Sequence, residues 1–294
     1  MTYFYNLGGL TVQTDEYFYP EGKTQLAAYQ TDPVSAPDVT YTIHTSCMDL
    51  QPPTGTLVAE INKRHWYTLP DGGYAFYDRV EDVSDQILNL VIADSTFSHI
   101  EAWFCPSEVL ELSPDRRPYN LIQEALRYAL LFKNGTIIHA SSLAYHDKGL
   151  LFSAPSGTGK SKHTRLWRRY KPDTIIVNDD MPLVRIENDT PYLYGAPWSG
   201  KSVVHQNVCV PLHAIVFLER GTTCTLEPMD SIEAVWRGVF GRGLFSAVRK
   251  PIVPALAEKN LDVISNLIER LPVYLLHCDM SEDAVRTSMQ AMEK

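Results

Sequence analysis

The chain has 294 residues, of which 45% are hydrophobic, and its formal net charge is −9 at pH 7. This length and composition allow a large core in one domain or two smaller domains. The excess of carboxylates argues against a general nucleic-acid binder, because phosphate backbones require clustered Lys and Arg side chains.

The beginning of the sequence lacks a basic segment followed by an apolar one, so we predict no secretory signal. No apolar run approaches the ~20 residues that span a bilayer. The five cysteines are scattered and form no C-x-x-C pair, which is typical of reduced thiols in the cytoplasm. We therefore expect a cytoplasmic protein without a membrane or nucleic-acid partner.

The first region, residues 1–118, contains short runs rich in Tyr, Thr and Val that are separated by Pro, Gly and Asp. Residues 39–43 are typical of a strand, and residues 73–77 follow an Asp-Gly-Gly turn signal. We predict a small antiparallel β-rich region here. Its three histidines, His44, His65 and His99, lie far apart in sequence and are expected to be structural. Residues 113–118 contain two prolines and several charges, which favours a linker.

The second region, residues 119–294, interleaves apolar strand-like runs with helical patterns, which predicts an α/β (mixed α+β) domain. The predicted elements are a helix at 121–132 ended by Asn134-Gly135, strands at 136–140 and 149–153 around a turn, a helix through 165–167, strands at 174–177, 214–218 and 273–276, and further helices toward the C-terminus.

One segment has the pattern of a phosphate-binding P-loop. It consists of Ala154, Pro155, Ser156, Gly157, Thr158, Gly159, Lys160 and Ser161. Gly157 and Gly159 would let successive backbone N–H groups point at phosphate oxygens at a helix N-terminus. Lys160 would meet the β- and γ-phosphates, and Ser161 would offer its hydroxyl to Mg²⁺. With a strand before it and a helix after it, the segment predicts binding of a nucleoside triphosphate with magnesium; an ordinary Gly-Ser turn is the structural alternative.

The head of this loop departs from the general motif. Ala154 stands where the motif has its first glycine, and alanine tolerates a positive φ less well. We therefore expect the entry to the loop to be less demanding than in a standard P-loop.

A pair of carboxylates, Asp179 and Asp180, follows the apolar strand that ends near Asn178. Parallel strands in open α/β sheets deliver their C-terminal ends to the ligand crevice. One carboxylate could hold Mg²⁺ while the other accepts a proton from an attacking hydroxyl. An Asp-rich turn without chemistry is the alternative.

Three further features allow two interpretations each. His139 ends a predicted strand, where a lone histidine is usually structural. Residues 194–201 form a Gly- and Pro-containing loop in which Lys201 could meet phosphate, although Trp198 could equally fill the core. A basic cluster is either a solvated helix face or helix-end charge, or a patch for an acidic substrate. The cluster consists of Arg165, Arg168 and Arg169.

These segments, in this order, resemble the HPr kinase/phosphorylase family and its relative, ATP-dependent phosphoenolpyruvate carboxykinase. His139 lies 21 residues ahead of Lys160, which is the family's spacing between its histidine and its P-loop lysine. Asp179-Asp180 corresponds to the family's double aspartate, whose second member is the proton acceptor.

The resemblance is closer to a branch of HPr-kinase-like proteins, some of which are encoded beside peptide-modification genes and phosphorylate a serine of a precursor peptide. It covers roughly residues 120–280, and Ala154 is regular in this branch. The shared motifs are His-Ala-Ser at 139–141, the loop at 154–161, His-Thr-Arg-Leu-Trp at 163–167, Asn-Asp-Asp at 178–180, and Tyr-Gly-x-Pro-Trp-Ser-Gly-Lys at 194–201.

Two departures from HPr kinase concern the metal and the acceptor. The glutamate-bearing Arg-Gly-x-Gly signature, which helps to hold the metal, is replaced by residues 192–197. The late arginine of the family has only Arg242 and Arg249 as weak counterparts. We therefore do not expect recognition of the HPr protein itself.

The resemblance implies a phosphoenolpyruvate carboxykinase/HPr kinase-like P-loop domain at 119–294, with residues 1–118 recruiting the acceptor. It implies ATP and Mg²⁺ as cofactors and phosphoryl transfer to a serine of a peptide or protein. The implied roles are Asp180 as base, His139 as orienting group, Lys160, the loop amides and Lys201 at the phosphates, and Ser161, Asp179 and Asp180 at the metal.

Two other functions stay open at this point: a nucleotide-binding sensor or scaffold without turnover, and a carboxykinase-like lyase. The acceptor, the donor (ATP, ADP or pyrophosphate), a phosphorylase activity, the division of roles between the two aspartates and a homo-oligomeric state are also left open by the sequence.

Overall fold

The structure, a computed structural model, describes residues 2–15, 20–44, 50–61, 64–79, 86–104, 117–199, 203–239 and 253–293. The chain is a mixed α/β protein with two large sheets. It divides into two compact units: Met1–Phe132 with Lys250–Ala257, and Lys133–Arg249 with Glu258–Lys294. The first unit thus ends after a helix at 117–131, whereas the sequence analysis placed a domain boundary at 118, in the first turn of that helix.

The first unit is built on an eight-stranded sheet. Its strands are β1 (Tyr3–Leu7), β2 (Leu10–Thr14), β3 (Val39–His44), β4 (Thr56–Ile61), β5 (Arg64–Thr68), β6 (Tyr74–Arg79), β7 (Ile87–Ala93) and β8 (His99–Phe104), in the order β1-β2-β3-β8-β7-β6-β5-β4. Its helices are α1 (Pro20–Ala27) and α2 (Arg117–Leu131).

The strands predicted at 39–43 and 73–77 are confirmed as β3 and β6, but the predicted antiparallel arrangement is wrong in part. β3 is parallel to both of its neighbours, β2 and β8. A parallel neighbour requires a crossover connection, and α1 lies in the connection between β2 and β3. This sheet is therefore mixed.

Aromatic side chains form the centre of the first unit. The ring of Trp66, which is fully buried, lies 4.5 Å from that of Phe76 and 5.2 Å from that of Tyr128 on α2. α2 confirms the predicted helix but begins earlier, with Pro118 in its first turn. Proline is tolerated there because the first N–H groups of a helix have no intrahelical partner. The rest of the predicted linker, residues 113–116, lies outside the described residues.

The three histidines of this unit each contact a neighbouring side chain. His44 stacks on Trp103 and His65 stacks on Tyr77, while His99 lies 2.9 Å from a carboxylate oxygen of Asp94.

The second unit contains a nine-stranded sheet and most of the helices. Its strands are β9 (Gly135–Ile137), β10 (Ser141–Tyr145), β11 (Lys148–Ser153), β12 (Ile175–Asn178), β13 (Leu183–Glu187), β14 (Thr190–Tyr194), β15 (Cys209–Arg220), β16 (Thr225–Pro228) and β17 (Val273–Cys278). Its helices are α3 (Lys160–Tyr170), α4 (Ser231–Val239), α5 (Pro254–Arg270), whose first residues belong to the first unit, and α6 (Glu282–Met289), which a 3₁₀ helix (Gln290–Met292) follows.

Most predicted elements of this unit are confirmed, but the strand predicted at 136–140 is wrong beyond Ile137. The N–H groups of Ile138 and Ala140 bond to the carbonyls of Pro182 and Asp180, so the chain leaves the strand there. The hairpin partner of β11 is β10, which the sequence analysis missed.

Strand direction brings four chain segments to one edge of this sheet. β10 is antiparallel to both β11 and β12, so these two strands run the same way although they are not neighbours. β15 is parallel to β11, and β17 is parallel to β15. The C-terminal ends of β11, β12, β15 and β17 therefore share one edge. As expected, β12 ends at the same edge as the loop that follows β11, although the antiparallel strand β10 lies between β12 and β11.

None of the described helices is long and apolar enough to cross a membrane.

Candidate functional site

The segment between β11 and α3 is a tight loop. Gly157 and Gly159 have positive φ values of 81° and 126°. The φ of Gly159 requires glycine there, whereas a Cβ atom would meet only the flexible end of Met280, whose Cε would lie 2.7 Å away. Ala154 is not in the positive-φ region, and its side chain is buried in the apolar core. This explains why the head of the loop needs no glycine.

Lys160, the first residue of α3, is nearly buried. Its Nζ donates to the carbonyl of Ala154 at 2.8 Å and lies 3.3 Å from Nε2 of His139. Burial lowers the pKa of Lys160, while the carboxylates of Asp180 and Asp179 act in the opposite direction. The ammonium group of Lys160 therefore lies at the mouth of the loop, close to the carboxylates of Asp179 and Asp180.

His139 joins Lys160 to Asp180. Its Nδ1 lies 3.1 Å from Oδ1 of Asp180, an ion-pair distance without hydrogen-bond alignment. Because an ammonium group only donates, a hydrogen bond between Lys160 and His139 would use Nε2 as the acceptor, which in a neutral ring leaves the proton on Nδ1, facing Asp180. These three predicted catalytic residues are brought together in the described structure.

Asp179 is more deeply buried than Asp180 and is tied to α3. The hydroxyl of Ser141 donates to Oδ1 of Asp179 at 2.9 Å and lies 2.9 Å from Oγ1 of Thr164. Thr164 in turn approaches the carbonyl of Ser161 at 3.3 Å. Both hydroxyl residues are fully buried. A chain of buried hydroxyls thus connects Asp179 to the first turn of α3, while Nη2 of Arg165 lies 3.6 Å from its other oxygen.

Asn178 fixes the turn that carries the two aspartates. Its Oδ1 accepts from the N–H groups of Asp180 at 2.8 Å and Met181 at 2.6 Å. Its Nδ2 donates to the carbonyls of Ala196 at 2.8 Å and Trp198 at 2.9 Å. The side chain is fully buried, and both of its polar atoms are hydrogen-bonded. One carboxamide therefore holds both the aspartate turn and the segment at 196–198.

The segment predicted as a rigid loop at 194–201 is described as far as Ser199. A side chain at Gly195 would overlap the carbonyl of Gln206, which explains the glycine. Trp198 is 4% exposed and fills the interior, which was one of the two interpretations that the sequence allowed for this loop. Lys201 lies outside the described residues, as do Arg242 and Arg249, so their roles stay predictions.

On the other side of the loop, the end of β15 contributes groups that the sequence analysis missed. Arg220 donates to the carbonyls of Gly157 at 2.7 Å and Thr158 at 3.4 Å. Arg237 on α4 donates to Glu219 at 2.7 Å. A cavity of about 560 Å³ lies between the loop and this strand end. The sequence contained a signal for these groups, since Glu219 and Arg220 follow the apolar run predicted as a strand at 214–218, just as the two aspartates follow the run at 174–177.

A metal ion would find oxygen ligands on one side of the loop. Asp179, Asp180 and the hydroxyl of Ser161 are the hard donors that Mg²⁺ prefers, and Mg²⁺ usually keeps several waters beside one or two carboxylates. The donor set therefore fits Mg²⁺ bound together with phosphates. Within the described ranges, no group of three or more His, Cys, Asp and Glu side chains could hold a metal by itself.

Comparison with known proteins gives little beyond this geometry. No protein-family model matches the chain, and no curated protein matches it in sequence. Among solved structures, the chain is similar to the HPr(Ser) kinase/phosphatase from Coxiella burnetii, with 15% identity and a TM-score of 0.30 over 54% of this chain and 99% of that chain. At this TM-score the similarity does not establish a shared fold.

Proposed function

We propose that this protein is an ATP-dependent kinase that transfers a phosphoryl group to a hydroxyl, and that this hydroxyl belongs to a serine of a peptide or protein. The observation that carries the proposal is the chain of contacts Asp180–His139–Lys160 at the mouth of a glycine-containing loop that precedes a helix. Phosphoryl transfer depends mainly on positioning and charge stabilisation, and this arrangement supplies a base, a cation and backbone N–H groups together.

The donor would bind with its phosphates at the loop. The N–H groups at the start of α3 favour anions, and Lys160 adds a positive charge beside them. The cavity next to β15 has the size of typical small-ligand sites and would hold the nucleoside. Mg²⁺, when bound by Asp179 and Ser161, would neutralise charge that develops on the phosphates.

Asp180 is the proposed base because it is the more exposed carboxylate and faces His139. Its side chain is 28% exposed, against 5% for Asp179. The acceptor hydroxyl would give its proton to Asp180 while its oxygen forms a bond to the γ-phosphorus. The bond between that phosphorus and the leaving ADP oxygen breaks. His139, whose Nδ1 lies 3.1 Å from Oδ1 of Asp180, would rotate into a hydrogen bond with the carboxylate and hold it in place during transfer.

The direct test is transfer of label from γ-³²P-ATP with Mg²⁺ to serine-containing peptides. Asp180→Asn should reduce transfer by about 10³-fold while leaving nucleotide binding intact. Asp189→Asn is a matched control, since Asp189 is an exposed turn residue whose side chain pairs with Arg270. Unchanged transfer by Asp180→Asn would refute the base assignment, and tight ATP binding without transfer to any acceptor would favour a sensor.

A further inference from the structure

The outward face of α3 carries a row of cations, which we call the basic strip: Lys162, Arg165, Arg168 and Arg169. All four are exposed, and positions 162, 165 and 169 follow the i, i+3, i+7 spacing of one helix face. The buried residues of α3, which include His163 and Trp167, lie on the opposite face. At 1.5 Å per residue the strip is ~10 Å long, starting at the loop.

The charge of this strip is unusual for this chain. Asp and Glu outnumber Lys and Arg by 35 to 26, yet α3 contains no carboxylate. Helix dipoles favour anions in the first turn and cations in the last. Arg168 and Arg169 in the last turn therefore have a structural explanation, whereas Lys162 in the first turn opposes the dipole.

The strip also lies next to the proposed site. Nη2 of Arg165 is 3.6 Å from Oδ2 of Asp179, and the arginine side chain is half exposed. Lys162 and Arg168 have no ion-pair partner within the described part of the chain. An incoming carboxylate would thus meet cations that intramolecular anions do not neutralise.

We propose that the basic strip binds an acidic segment of the phosphoryl acceptor, beside the hydroxyl to be phosphorylated; this inference rests on the proposed kinase function. A strip of ~10 Å matches three or four extended residues at ~3.3 Å each. Charge complementarity argues for a short acidic peptide, whereas the net charge of −9 would repel the long phosphate array of a nucleic acid or an anionic membrane. Arg165 would then contact both Asp179 and the acceptor.

The test uses two fluorescein-labelled peptides with the same central serine, one flanked by four glutamates and one by four glutamines. Anisotropy should show at least tenfold tighter binding of the glutamate peptide to the full-length protein, weakening as salt rises. The double variant Lys162→Gln/Arg168→Gln should lose about tenfold of that affinity. Arg286→Gln is the matched control, because Arg286 is an exposed arginine on another helix, α6, of the same unit.

The outcomes separate this inference from the proposed function. Equal binding of the two peptides, or an unchanged affinity in the double variant, would overturn the basic strip as an acceptor site. Tighter binding of a single-stranded RNA oligomer or of phosphatidylserine vesicles would also overturn it. Strip-dependent binding of the glutamate peptide without phosphoryl transfer to any serine would instead refute the kinase and keep the strip.

Discussion

The loop at 154–159 has two flanks that are built differently. The β12 flank consists of residues 178–180 with His139, and its supporting side chains are fully buried and hydrogen-bonded to one another. The β15 flank consists of Glu219, Arg220 and Arg237, which are partly or fully exposed. When a partner is removed from a buried network, each polar group left unsatisfied lowers the free energy of unfolding by ~1–3 kcal/mol. An exposed ion pair contributes at most ~1 kcal/mol to that free energy.

This difference assigns different tasks to the two flanks. A group that handles a proton or a metal must be held in place before the substrate arrives, which the buried network of the β12 flank achieves. A group that closes on a bound nucleotide can be exposed and adaptable. We therefore expect substitutions on the β12 flank to reduce kcat and those on the β15 flank to raise KM.

The largest expected effect is that of Lys160→Met, which removes the cation next to His139. Phosphoryl transfer should fall by about 10³-fold, because a preorganised charge at the phosphates is lost. The free energy of unfolding should fall by ~1–3 kcal/mol, because the carbonyl of Ala154 loses its donor while methionine keeps the apolar stem buried. Initial rates with Mg-ATP and denaturant unfolding measure the two quantities. A variant that folds and retains its rate would remove Lys160 from the chemistry.

The second effect concerns the packing that holds α3. Burial lowers the pKa of His163 to about 4, and its ring lies 3.2 Å from the hydroxyl of Ser288 on α6. In the unfolded chain His163 binds a proton near pH 6.5, whereas in the folded protein it stays neutral until the pH approaches 4. Stability is therefore lost as pH falls from ~6.5 toward 4. Between pH 7.5 and 5.0 this loss should be ~2 kcal/mol, or about 30-fold in the unfolding equilibrium.

Urea unfolding at both pH values checks this expectation. His163→Gln should flatten the pH dependence, whereas His146→Asn, in the exposed turn between β10 and β11, should keep it. An unchanged pH dependence in His163→Gln would mean that other groups destabilise the protein in acid.

A third, smaller effect should come from the hydroxyl chain behind Asp179. Thr164→Val removes the hydroxyl that lies 2.9 Å from Ser141, so Asp179 is held less firmly relative to Ser161. The Mg²⁺ concentration for half-maximal nucleotide binding should rise about tenfold. Thr174→Val is the matched control, because the equally buried hydroxyl of Thr174 has no hydrogen-bond partner within the described chain. Equal Mg²⁺ dependence in the two variants would show that the hydroxyl chain behind Asp179 has only a structural role.

The sequence predicts the parts of this site that depend on local pattern. Residues 154–161 form a contiguous motif, and Asp179-Asp180 follows an apolar run, so both could be found without a structure. Ser141 and Thr164 stand in the shared motifs at 139–141 and 163–167, but their contact could not be predicted, because they lie 23 residues apart and buried hydroxyls have no periodic signature.

The errors in the predicted fold have physical reasons of the same kind. The apolar residues around Ile137 and Ile138 favoured a longer strand, but the backbone there bonds to the turn at 180–182. β10 has the sequence Ser-Ser-Leu-Ala-Tyr, which shows no alternation of apolar and polar side chains, so local pattern does not reveal it. The parallel pairings in the first unit depend on contacts between residues far apart in sequence, which local alternation cannot reveal.

The smallest predicted effect tests the β15 flank itself. Arg220→Gln removes the charge-assisted bonds to the carbonyls of Gly157 and Thr158, so the loop should close less tightly on the donor. Because Arg220 is exposed, we expect KM for ATP to rise only about fivefold and kcat to stay within about twofold. Arg270→Gln, which breaks an exposed ion pair with Asp189 instead, should change neither. A fall in kcat with unchanged KM would place Arg220 in the transition state rather than in donor binding, because only interactions stronger in the transition state accelerate transfer. The two flanks would then share the chemistry, and burial would no longer separate catalysis from binding in this protein.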